Sequence, residues 1–108
     1  MLLKAGESLV REGDRSNQLF WLVEGRLEVV KIINSHVAQL NIIEAGDLVG
    51  ELSFLDQKPR SASVRALVDC QLVVLEYSEF QEMLAEQPKW MKKILVTLTG
   101  KIRKLSEL

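Results

Sequence analysis

Apolar residues in this chain fall in short runs or in alternation, and turn residues punctuate them about every ten positions. Met1 to Lys4 and Ser8 to Arg11 read as two short strands around the turn Ala5-Gly6-Glu7. Glu12-Gly13-Asp14 is a second turn signal, continued by Arg15-Ser16-Asn17. Gln18 to Glu24 (Leu19, Phe20, Trp21, Leu22 and Val23) has the length and aromatic content of a buried strand, and Gly25 ends it. Phe20 and Trp21 are expected in the core. Arg26 to Ile33 opens in clean alternation, Leu27 and Val29 against Arg26 and Glu28, then slips at Val30, which predicts a bulge or strong twist. Asn34-Ser35 supplies a hairpin turn. His36 to Ile43 returns half exposed, with Ala38, Leu40 and Ile42 on one face and Gln39 and Asn41 on the other. After Glu44-Ala45-Gly46-Asp47 the strand pattern resumes at Ser63 to Leu67, breaks at Val68-Asp69 and closes with Cys70 to Tyr77.

Helical spacing takes over at Ser78. Ser78 and Gln81 have the spacing of a capping box, and Phe80, Met83 and Leu84 recur at helical intervals. Gln87-Pro88 restarts a helix, where proline's missing donor costs nothing at the first position. Met91, Leu95, Leu98, Ile102 and Leu105 then form a heptad seam, with Lys92, Lys93, Lys101, Arg103 and Lys104 outside it. Trp90 falls off the seam. The pattern predicts one mainly β domain over residues 1–108, with a jelly-roll-like β-roll of about eight strands over 1–77 and helices over 78–108.

Composition narrows the function classes. At 108 residues and 12.3 kDa, the chain is one domain in size. Fourteen basic residues against fifteen acidic ones leave a net charge of −1, so no general nucleic-acid or membrane surface is indicated. Cys70, the single cysteine, rules out an internal disulfide and reads as a buried structural thiol. No stretch is long and apolar enough to span a membrane and no secretion signal opens the chain, which gives a cytoplasmic protein as the default. His36, the single histidine, lies beside a hairpin turn and argues against a metal-dependent barrel enzyme. No nucleophile–base set is visible, so neither catalysis nor a cofactor is expected.

The chemistry concentrates between Gly46 and Ala66. Gly50 permits a backbone bend or a close approach, and the segment after Glu51-Leu52 suits a single helical turn whose free N–H groups favour an anion. Pro59 pins the chain before Arg60, whose guanidinium fork suits phosphate oxygens, and Ser61 adds a hydroxyl. A carboxylate at Glu51 repels phosphate but accepts hydrogen bonds from sugar hydroxyls, so a ligand that is part phosphate and part ribose reconciles the set. The plainer alternatives are a turn arginine at Arg60, a helix-start acid at Glu51 and a turn hydroxyl at Ser61.

Gly50-Glu51-Leu52 followed by Pro59-Arg60-Ser61-Ala62-Ser63-Val64 resembles the phosphate-binding cassette of the cyclic nucleotide-binding domain family. Upstream, Gly6-Glu7, Glu12-Gly13-Asp14 and Leu19-Phe20 through Gly25 extend the likeness over most of the chain. The resemblance implies a sensor domain whose ligand is cAMP in preference to cGMP, with Ser61 leaving cGMP open. A cyclic dinucleotide would need further basic residues such as Arg65. It also implies that Arg60, Ser61 and the backbone amides of Leu52 and Ala62 hold the phosphate, that Gly50 and Ser63 belong to the same site, and that Glu51 holds the ribose hydroxyl. The final helix would lid the base, with Thr97, Thr99 and Ser106 as the available polar groups, and would pair with a second copy through Met91, Leu95, Leu98, Ile102 and Leu105. The alternatives are that this helix packs on the barrel, or that the chain is a dimerisation module with a silent pocket. An output module would be separate from these residues, and no direct nucleic-acid contact is expected of the domain.

Overall fold

The computed structural model describes residues 1–106, with the Ser106 side chain outside the description. Its strands are β1 (Leu2–Leu3), β2 (Ser8–Val10), β3 (Gln18–Glu24), β4 (Arg26–Ile33), β5 (His36–Glu44), β6 (Leu48–Val49), β7 (Ser63–Ala66) and β8 (Cys70–Glu76). Its helices are α1 (Glu51–Asp56), α2 (Tyr77–Ala85) and α3 (Lys89–Ser106). The antiparallel pairs are nested: β4 with β5, then β3 with β6, β2 with β7 and β1 with β8. Further pairing of β3 with β8 and β4 with β7 completes two four-stranded sheets, ordered β1-β8-β3-β6 and β2-β7-β4-β5. This is the expected jelly-roll β-roll. The strand to helix change falls at Tyr77, one residue before the expected boundary.

Strand alternation sends one set of side chains between the sheets. Leu3, Phe20, Leu22, Val49, Cys70 and Leu72 enter from the first sheet, and Val10, Leu27, Ile43, Val64 and Ala66 from the second. Cys70 is buried as expected, with its thiol against the carbonyls of Val68 (3.2 Å) and Arg26 (3.5 Å). Gly25 joins β3 to β4 and so links the two sheets. Its φ is 107°, and a Cβ there would meet Cys70 Sγ at 2.6 Å and the Asp69 carbonyl at 2.8 Å.

Local expectations at Trp21, on the faces of β5 and at the cap of α2 are corrected, while the bulge expected at Val30 is present. Trp21 is 47% exposed rather than in the core, because the outer face of β3 is left uncovered while Phe20 and Leu22 turn inward. The slip at Val30 is a register shift whose extra residue is Leu40 on β5: Val29 pairs with Asn41 and Val30 with Gln39. The shift puts Asn41 and Ile43 opposite the inward Val29 and Leu27, and leaves Leu40 52% exposed. The capping box of α2 is formed by Glu76 and Glu79 rather than by Ser78 and Gln81, and Met83 is 51% exposed. The hairpin turn is as read, with positive φ at Asn34 and Ser35. Strand β6 was not legible, since two residues carry no period.

Gly25→Ala is expected to lower stability by roughly 3 kcal/mol or more, since backbone atoms fill the space and φ is positive. Gly100→Ala, within α3 and with nothing within 4 Å of a new Cβ, is expected to gain up to about 1 kcal/mol. Urea unfolding of the two variants measures both signs.

Candidate functional site

The chain from β6 to β7 builds an open cavity of about 640 Å³ on the inner side of the second sheet. Gly50 adopts a left-handed conformation (φ 80°) and its carbonyl accepts from the Phe54 N–H at 3.0 Å, which starts α1 at Glu51. The first N–H groups of α1 have no intrahelical acceptor. Gln57 ends the helix, also left-handed at φ 57°, and its side-chain amide donates to the Phe54 carbonyl at 2.6 Å. The returning loop then brings Arg60 back beside Gly50.

Arg60 is 4% exposed. Its Nη1 donates to the Gly50 carbonyl at 3.0 Å and its Nη2 to the Gln18 carbonyl at 2.6 Å, while its buried Nε has no partner among the described residues. A Cβ on Gly50 would overlap the Arg60 guanidinium, so a side chain here would have to displace Arg60 as well as adopt the left-handed backbone. Burial pulls the guanidinium below its ordinary pKa, and the nearby Glu51 carboxylate pulls the other way. The Arg60 backbone is tied to the turn after β2: its N–H donates to the Asp14 carbonyl, and its carbonyl accepts from Gly13, both at 2.8 Å.

Gly50, Glu51, Leu52, Arg60, Ser61 and Ala62 all line this cavity. Ser63 does not. It lies on the other face of β7, where its Oγ accepts from the Glu12 N–H at 2.9 Å. Val10, Val29, Ile43 and Val64 give the cavity an apolar wall. Asn41 and Asp47 also line it and were not read as site residues from the sequence. The bulge at Leu40 is what turns Asn41 inward, and the only sign of it in the sequence was the slip at Val30. Among the described residues α3 contributes nothing to the lining, so the expected lid does not cover the cavity in this structure. The Thr99 hydroxyl donates instead to the Leu95 carbonyl of its own helix at 2.7 Å.

The short helix α1 is held by both later helices. Phe54, fully buried, packs edge-on against Tyr77 (5.3 Å between ring centroids) and Phe80 (5.2 Å) of α2. From α3, Arg103 donates to Asp56 through Nε at 2.7 Å and Nη2 at 3.3 Å, and Nη2 also reaches the Ser53 hydroxyl at 3.2 Å. Sequence reading placed Arg103 only outside the seam. An i-to-i+47 pairing leaves no local signal. Burial pushes the Asp56 carboxyl up, but the Arg103 hydrogen bonds, the Lys58 backbone N–H and both neighbouring charges outweigh it and hold the carboxyl below its ordinary value.

The cavity in the wall of this β-roll gathers a serine, a carboxylate and a buried arginine beside the start of a short helix. The family model for the cyclic nucleotide-binding domain matches residues 1–87. The chain belongs to that family. It is 41% identical over 81 residues to the cGMP-dependent protein kinase egl-4 of Caenorhabditis briggsae, covering 75% of this chain and 10% of the kinase. It is 24% identical over 102 residues to the cAMP-activated global transcriptional regulator CRP of Escherichia coli, covering 93% of this chain and 49% of the regulator. A solved cyclic nucleotide-binding domain from Methylobacillus flagellatus superposes with a TM-score of 0.77 at 30% identity, over 95% of this chain and 61% of that one. The chain therefore spans half or less of these two curated relatives.

Arg103→Ala is expected to lower stability by about 1–3 kcal/mol, since it strands a mostly buried carboxylate. Because the folded-state pKa of Asp56 is depressed, its ion pair contributes fully above the ordinary aspartate value of about 4 and is lost as pH falls through the folded value. Thermal unfolding of both proteins from pH 7 downward is expected to show the difference between them shrinking in that acid range.

Proposed function

We propose that this domain is a sensor that binds a cyclic nucleotide, cAMP first, and passes the binding event to α3. The observation that carries the proposal is Arg60: a guanidinium 4% exposed, with one nitrogen lacking a partner among the described residues, lining the same cavity as Glu51 and Ser61. Burying such a cation without a bonded carboxylate is costly, and a phosphate in the cavity offsets that cost. Arg60, the Ser61 hydroxyl and the amides of Leu52 and Ala62 hold the cyclic phosphate, Glu51 accepts from the ribose 2′-hydroxyl, and the apolar wall of Val29, Ile43 and Val64 faces the base. Ser63 is left to its bond with Glu12. A second reading, cGMP, is favoured by the Ser61 hydroxyl and by the relative at 41% identity, a cGMP-dependent kinase.

Coupling follows from the ties on α1. Movement of the cassette around a bound phosphate shifts Asp56 and Ser53, and Arg103 carries the shift to α3. A ligand drives this only by the difference in its affinity for the two positions. The apolar face of α3 is suited to a second copy: Met91, Leu98, Ile102 and Leu105 are each more than two-fifths exposed, with Leu95 half-buried. The β-roll thus forms the receptor and the helices the transmitting part of one domain.

Calorimetric titration of the domain, freed of bound nucleotide, with cAMP and cGMP tests the proposal. Submillimolar binding is expected, with affinity lost by at least about 100-fold in Arg60→Ala and by less in Ser61→Ala. Circular dichroism confirms that both variants fold. Absence of heat with either nucleotide from a folded protein overturns the sensor reading. Sedimentation with Leu98→Glu tests the dimer, which is expected to dissociate.

A further inference from the structure

The second sheet carries another cavity on its opposite face, about 440 Å³, lined by Arg11, Lys31 and Arg65 together with Ser8, Glu12 and Ser63. The two cavities are back to back. Val10, Val29 and Val64 line the first, while their chain neighbours Arg11, Val30, Ser63 and Arg65 line the second. Val30, 7% exposed, and the more exposed Ile32 and Val37 complete the lining with an apolar patch.

Of these three cations only Arg65 is ion-paired among the described residues, to Glu28. Glu28, 6% exposed, accepts from Arg65 Nε and from Gln39 Nε2 (2.7 Å), and these two bonds, Arg65's foremost, hold its carboxyl below the usual range. That arrangement fixes Arg65 through Nε and leaves its two terminal nitrogens without a protein acceptor among the described residues. Arg11 and Lys31 have no carboxylate partner within 4.0 Å among the described residues. The Ser63 hydroxyl accepts from the Glu12 N–H at 2.9 Å and so keeps its proton to donate. Three basic groups and a serine donor on one small cavity suit a phosphate dianion. The Glu12 carboxylate in the same lining opposes a bare anion but accepts from a neighbouring hydroxyl.

We propose that this outer-face cavity is a second, independent site for a small phosphate ester with a free hydroxyl. Arg11, Lys31 and Arg65 hold the phosphate, Glu12 the hydroxyl, and Val30, Ile32 and Val37 the ring or apolar body. The size suits such a ligand, since small-molecule sites run from about 300 to 1,000 Å³. It is distinct from the cyclic nucleotide cavity and does not depend on that reading.

The test is an amide chemical-shift titration of the isotope-labelled chain with adenosine 5′-monophosphate and with inorganic phosphate. Saturable shifts are expected at Lys31, Val37 and Arg65, with the nucleotide binding more tightly than phosphate alone. The double variant Arg11→Gln, Lys31→Gln is expected to weaken these shifts' affinity by about tenfold or more while leaving the response of Gly50 to Ala62 to cAMP unchanged. Shifts confined to Gly50 through Ala62, no saturation at millimolar probe, or unchanged affinity in the double variant would each overturn the second site. A failure of cAMP to bind, with the Arg65 shifts intact, would count against the first cavity alone.

Discussion

Arg60 occupies space that exists only because Gly50 has no side chain, and the geometry of the site follows from that close approach. The left-handed turn at Gly50 orients its carbonyl to accept from both the Phe54 N–H and the Arg60 guanidinium. One backbone oxygen therefore starts α1 and anchors the buried cation. The Gln18 carbonyl on β3 takes a second Arg60 nitrogen, so the guanidinium also joins the cassette to the first sheet. Two neutral carbonyls do not replace the hydration of a buried charge, and the unpartnered Nε is the visible deficit.

Around that anchor, α1 is too short to be stable alone and depends on its contacts with the rest of the chain. Phe54 gives it an apolar grip on α2, and Asp56 with Ser53 a polar grip on α3. The two grips differ in kind. Aromatic packing tolerates small sliding at modest cost, whereas a forked arginine–carboxylate pair is directional and reports displacement. The cassette is thus held to α2 by packing and to α3 by directional bonds.

The nested strand pairing explains how two chemically different faces share one sheet. Strand β7 follows directly on Arg60-Ser61-Ala62, and its alternation sends Val64 to the inner wall while Ser63 and Arg65 go outside. Strand β4 does the same with Val29 and Val30, across a register shift that β5 absorbs at Leu40. The buried Glu28 is tolerated on the outer face because Arg65 and Gln39 come from the two strands flanking its own.

Much of this was legible in the chain itself. The ends of β3 and β4, the hairpin at Asn34-Ser35, the inward Val64 and Ala66, the buried Cys70 and the clustering of Gly50, Glu51, Arg60 and Ser61 all follow from local pattern, since period and turn chemistry act over a few residues. What local pattern does not encode is which face of an apolar strand finds a cover, and so Trp21 was misplaced while its neighbours Phe20 and Leu22 were not. Nor does it encode long-range partners. Arg103 reaches Asp56 across 47 positions, Arg60 reaches Gln18 across 42, and Asn41 faces the cavity because of a bulge set by pairing with β4. The sequence by itself determined the elements and the type of chemistry. The tertiary structure decided which cation is buried, which serine points to which cavity and which helix is tied to the cassette, because those depend on distances between segments that only packing brings together.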